Sequence, residues 1–169
     1  MATKPNEPTV LLEDKDLLVI DKPAGWLVHD HADAGSILSW ARDYAAANGH
    51  DPHAVQLVHR LDRDTSGVLI IALSAAGAVA LHLAFRERRV HKLYIALTVP
   101  VPAVRWARVE HNLAPRRLPG GERMVVVEQG GQVALSEVEV LARGRRFGFV
   151  RIIPEQGRKH QIRVAVAEL

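Results

Sequence analysis

The sequence predicts an α+β fold: a mixed, mainly antiparallel central sheet flanked by helices and loops. Three observations lead there. The chain has 169 residues, 48% of them hydrophobic, with a mean hydropathy of zero, which suits one packed globular domain over residues 1–169. Two long stretches and a short one at the C-terminal end space their apolar residues as a helix does. Nearly all the remaining apolar residues fall in short β-branched runs cut by Gly and Pro.

In chain order, TVLLE and LLVID are two apolar runs separated by the charged DKD, a hairpin pattern, and KPAG after them is a turn. From Ser36, SILSWARDYAAANG places Ile37, Trp40, Ala41, Tyr44 and Ala45 on one helical face, with Ser36 as N-cap and Gly49 as stop. GVLIIAL is short, continuous and β-branched, and reads as a central strand buried on both faces. Ser74 caps AAGAVALHLAFRERR, a helix whose cationic last turn suits the helix dipole or, equally, a phosphate. Five further runs, KLYIALTV, VRWARVE, RMVVVEQ, VALSEVEVLA and FGFVRIIPE, make the second half mostly antiparallel sheet. HQIRVAVAEL returns to helical spacing through Ile162, Val166 and Leu169. No linker or composition break divides the chain.

Composition excludes several classes. Without cysteine there is neither a disulfide framework nor a thiolate metal site. No apolar stretch approaches the roughly 20 residues of a membrane span, and MATKPNEPTVLLEDKD lacks a secretory signal pattern, so a soluble cytoplasmic protein is expected. The net charge of +3 is unevenly spread: residues 1–55 hold four Lys/Arg against nine Asp/Glu, residues 56–169 eighteen against ten. RERRVHK, PRR, RGRR and GRKHQIR make the second part resemble a polyanion-binding face, although an arginine-rich composition alone accounts for it equally well.

The chemistry concentrates in HRLDRDTSG, residues 59–67, immediately before GVLIIAL. A polar loop feeding a buried strand holds Asp62 rigidly and partly shielded from water, where an ion needs a partner. The residues leave two readings open. Arg60/Asp62 or Arg63/Asp64 is a structural pair pinning the loop, with Thr65 and Ser66 making turn hydrogen bonds, or Asp62 is catalytic. LDRDTS only faintly echoes a D-x-D-x-T phosphatase pattern, with wrong spacing and strand order. HDH at 29–31 and HDPH at 50–53 lack zinc-ligand spacing, and no nucleotide-binding or nucleophile-elbow motif occurs.

Four ordered segments then coincide: DLLVIDKPAGWLVH, HRLDRDTSGVLIIAL, RRVHKLYIAL and GRKHQIRV. Together they resemble the motifs of the RluA-type pseudouridine synthases, over nearly all of residues 10–164, and RMVVVEQGGQVALSEVEVL resembles that family's intervening strand pair. The resemblance implies the pseudouridine synthase catalytic fold and isomerisation of uridine to pseudouridine within tRNA or rRNA. It makes Asp62 the catalytic carboxylate, Arg163 its partner and Tyr94 the residue that stacks on the target base. Arg60 matches the arginine that fills the gap left by the flipped nucleotide. Arg63, Arg158, Lys159 and His160 complete the expected RNA-contacting set. No cofactor and no metal is implied, since the reaction has no net redox change or hydrolysis.

The chain departs from the family pattern at Gln156, where threonine is usual, and at Ala165, where histidine is common. It ends soon after the arginine motif, so it is expected to lack the family's C-terminal part, and no N-terminal RNA-binding domain is expected. That start mildly favours a tRNA or a small rRNA hairpin as substrate. The competing expectations are a catalytically silent RNA-binding remnant and a structural domain without an RNA partner.

Overall fold

The computed structural model describes residues 6–29, 35–119, 121–167 and 169. The chain folds as two compact units, Met1–Arg89 and Val90–Leu169.

The first unit opens with the expected hairpin, β1 (Thr9–Glu13) and β2 (Leu17–Lys22), whose turn is closed by Asp14, a carboxylate accepting from the Asp16 and Leu17 amides. Helix α1 (Ile37–Ala47) starts at Ser36, whose hydroxyl accepts from the Ser39 amide, and ends before Gly49 at φ +81°. It buries Ile37, Ala41 and Ala45, and Tyr44 donates to Glu13 on β1 at 2.7 Å. Two strands follow, β3 (Gln56–Leu57) and β4 (Gly67–Ala72), in a four-stranded sheet of order β1-β2-β4-β3. The two-residue β3 is too short to carry any periodicity, and sequence reasoning missed it.

β4 is an interior strand, as expected, but it is not buried on both faces. Leu69 and Ile71 are fully buried while Val68 is 57% exposed. Both its neighbours run antiparallel to it, and antiparallel sheets bury one face without needing the second covered. Helix α2 (Ala75–Arg86) then begins at Ser74 and docks on the β1–β2 turn. The Ser74 hydroxyl donates to Asp16 at 2.6 Å and accepts from the Gly77 amide at 2.9 Å.

The second unit is a five-stranded antiparallel sheet built from β5 (Tyr94–Thr98), β6 (Trp106–Leu118), β7 (Gly121–Val126), β8 (Gln132–Arg143) and β9 (Gly148–Pro154), in the order β5-β9-β8-β6-β7. The α+β class and the antiparallel second half are therefore as predicted, with the strands gathered in two sheets. Val138, Val140, Val150 and Ile152 form the core of one face. Helix α3 (Gln161–Ala167) covers that face through Ile162 and Val166, with Leu169 beyond it. Ala165 is 3% exposed, so a small side chain is what this packing accepts.

Candidate active site

In the first unit the loop between β3 and β4 carries Arg60, Leu61, Asp62 and Arg63. Leu61 is buried, Asp62 half-buried and both arginines exposed. Backbone bonds shape the loop: the Asp62 carbonyl accepts from the Thr65 amide at 3.1 Å, and the Arg63 carbonyl accepts from the Gly25 amide at 2.8 Å. Gly25 sits at φ +93° in the KPAG turn, a conformation glycine adopts without strain, so the turn can reach across to the loop.

Beneath this crossing lies a residue that sequence reasoning missed. Lys22 is 0% exposed, and its Nζ donates to the carbonyls of Pro23 (3.0 Å), Trp26 (3.1 Å) and Arg63 (3.0 Å). Three acceptors match its three donors, so the ammonium ties the KPAG turn to the Asp62 loop with no proton unused. Burial lowers its proton affinity, while the charges of Asp64 and Asp62 act in the opposite sense. The signal was available: Leu18 and Ile20 face the core, and strict alternation along β2 puts Lys22 on that same face.

The Arg63/Asp64 pair considered as a structural pin spans 4.0 Å between side chains 67% and 73% exposed, so it contributes little. Arg63 Nε also donates to the Gly25 carbonyl at 3.3 Å. The loop is pinned chiefly by backbone hydrogen bonds and by Lys22.

The second unit carries Tyr94, Arg158, Lys159, His160 and Arg163. Tyr94 is half-buried on β5 and packs on the same core cluster as Ile162, so the structure brings Tyr94 and α3 to one face of the sheet. Arg163 follows Ile162 on α3 and is exposed. What orients α3 is Gln161, 4% exposed and also missed. Its amide nitrogen donates to the Leu135 carbonyl (2.9 Å) and the Ser136 hydroxyl (3.0 Å) of β8, and its oxygen accepts from the Arg158 amide (3.0 Å). His160, at φ +57°, turns the chain into the helix. The Gln156 side-chain oxygen accepts from the Leu135 amide at 2.7 Å, so the departure from threonine is used in fastening this corner, where the backbone carbonyl of the same residue also accepts from Lys92.

Beyond Leu113, β6 leaves β8 and pairs with β7 alone, forming a two-stranded ribbon in which Arg116 lies directly opposite Arg123. Like charges in register repel, an arrangement that a polyanion would relieve.

The family model for RNA pseudouridylate synthase matches residues 16–168. This chain belongs to the RNA pseudouridylate synthase family. Among curated family members, it is 38% identical over 156 residues to the ribosomal large subunit pseudouridine synthase C of Escherichia coli (strain K12). It is 33% identical over 156 residues to the protein of the same name from Buchnera aphidicola subsp. Acyrthosiphon pisum. Each match covers 92% of this chain and 48% of the relative, so the chain spans about half the length of the curated relatives it matches. Among solved structures, Human RNA Pseudouridylate Synthase Domain Containing 4 superposes with a TM-score of 0.76 at 32% identity, covering 95% of this chain and 64% of that one. Human RNA Pseudouridylate Synthase Domain Containing 1, at 24% identity and a TM-score of 0.78, shares the fold over 98% of this chain and 68% of its own. All eight site residues predicted from sequence lie inside the matched region.

Proposed function

We propose that the chain isomerises uridine to pseudouridine in a structured RNA, with Asp62 as the essential carboxylate. The observation that carries this is the Asp62 loop, pinned by Lys22 and Gly25 within a family match that runs unbroken across residues 16–168. That continuity also supports the two units acting as one catalytic domain.

The reaction breaks the bond between N1 of the base and C1′ of the ribose, turns the base, and forms a bond from C5 to C1′. The C5 proton leaves and N1 gains one, so atoms balance without a redox partner. As the N1 bond lengthens, C1′ becomes electron-poor, and a fixed carboxylate beside it stabilises that charge. In this proposal Arg163 pairs with Asp62 and holds its orientation. Tyr94 stacks on the extracted base, and Arg60 fills the vacated place in the RNA stack. Arg63, Arg158, Lys159 and His160 contact phosphates around them, as does the Arg116/Arg123 ribbon. The names of the relatives put large-subunit rRNA ahead of tRNA as substrate, which implies cytoplasmic action. No helix among the described residues is long and apolar enough to cross a membrane.

The test is tritium release from [5-³H]uridine-labelled rRNA by the wild type and by Asp62→Asn. The expected outcome is turnover by the wild type and a loss of at least about 10³-fold in the variant, on the scale of removing an essential catalytic group, with RNA affinity retained. Wild-type RNA binding without tritium release would make the chain an RNA-binding remnant, and turnover by Asp62→Asn at the wild-type rate would remove Asp62 from the chemistry.

A further inference from the structure

β4 receives hydrogen bonds from β2 along one edge and from β3 along the other, but β3 pairs only Gln56 with Ala72 and Leu57 with Ile71. The chain then leaves the sheet to form the loop that carries Asp62. The amide of Ile70, next along β4 and part-buried, would be left without a protein acceptor where the strand departs, which costs free energy to the extent that water is kept from it. His59 fills the gap: its Nε2 accepts from the Ile70 amide at 2.9 Å. The same ring stacks on Phe85 of α2, with centroids 4.7 Å apart and planes at 28°. A side chain thus replaces a strand carbonyl, and the backbone is released to turn outward three residues before Asp62.

The chemistry of the ring follows from its partner. A backbone amide can only donate, so Nε2 must present its lone pair and the ring is the neutral tautomer protonated at Nδ1. A phenyl ring would keep the stack on Phe85 and lose the acceptor. An amide side chain of suitable length would keep an acceptor and lose the stack.

We propose that His59 is a positioning residue for Asp62: as a neutral acceptor for the Ile70 amide it fixes where the catalytic loop leaves the sheet. This rests on the function proposed above. With Leu61 buried and the Arg63 carbonyl held by Lys22 and Gly25, His59 is the N-terminal anchor of a segment whose C-terminal anchor is already known. Loss of one anchor lets the carboxylate drift, and misplacement by about 1 Å costs on the order of 10²-fold in rate.

The experiment uses the full chain carrying His59→Phe, His59→Gln or His59→Asn, read by pseudouridine formation kinetics and by hydrogen exchange of the Ile70 amide without RNA. The Phe variant is expected to lose about 10- to 100-fold in kcat at a KM within about threefold of wild type, with faster Ile70 exchange. Gln reaches about as far as Nε2 and is expected to restore most of kcat and slow exchange. Asn is one carbon short and should behave like Phe, which keeps the comparison decisive if the Phe variant does not fold. Wild-type kcat in both the Phe and Asn variants, a defect confined to KM, or no rescue by Gln would overturn the assignment while leaving Asp62 chemistry intact. An inactive wild type would overturn the functional reading and this assignment together.

Discussion

At the scale of single residues, the burial of Lys22 has the largest consequence. Lys22→Met keeps the length and removes the charge, leaving the carbonyls of Pro23, Trp26 and Arg63 without their donor. Denaturant unfolding should show a loss of about 3 kcal/mol, the scale of an unsatisfied buried polar cluster. The pH dependence has a definite sign. Burial holds the Lys22 ammonium below its usual value of 10.5. Between the two values the unfolded chain binds the extra proton, so stability rises with pH through that window and falls as pH drops through the folded value. The stability gap between wild type and Lys22→Met should therefore widen as pH is raised toward 10.5, and a gap that narrows would show that burial does not govern this lysine. Lys22 was legible only in part: alternation along β2 indicated an inward side chain, but its three acceptors come from a turn and a loop 41 residues away.

At the scale of elements, caps and close approaches decide where helices sit. Ser36 and Ser74 were readable as N-caps because a cap is a local signal, satisfied within three residues. The docking of α2 was not readable, because it depends on Gly77 meeting a distant turn. A Cβ on Gly77 would lie 2.2 Å from the Asp16 carbonyl oxygen, which also accepts from the Leu73 amide. Backbone on both sides cannot yield cheaply, so Gly77→Ala should cost roughly 2 to 3 kcal/mol by calorimetry despite alanine's better helix propensity. Gly35→Ala, where an added Cβ meets nothing within 4 Å, is the control and should stay within about 0.5 kcal/mol. A neutral Gly77→Ala would mean that α2 does not rest on the β1–β2 turn. In the same way Gln161 sits within the apolar periodicity of α3, and its role became visible only with β8 beneath it.

At the scale of the whole molecule, the asymmetric charge is the feature that composition alone left ambiguous. Under the proposed function it belongs to an RNA footprint, and counterion release makes its contribution measurable. Log affinity for rRNA fragments should fall linearly with log salt. Replacing both Arg116 and Arg123 by serine should reduce that slope by about two, one for each phosphate no longer neutralised, without unfolding the hairpin whose like-charge repulsion has been removed. An unchanged slope would take the ribbon out of the footprint.

Most of the secondary structure and the family itself could be read from the sequence, because helix periodicity, strand alternation, caps and motif order are properties of neighbouring residues. The two-residue β3, the one-sided burial of β4, the saturated amide of Gln161 and the ammonium beneath the Asp62 loop were decided by tertiary structure. Each depends on a hydrogen-bonding group finding its partner across many residues of chain. A buried donor or acceptor must be satisfied, but local sequence does not say by what.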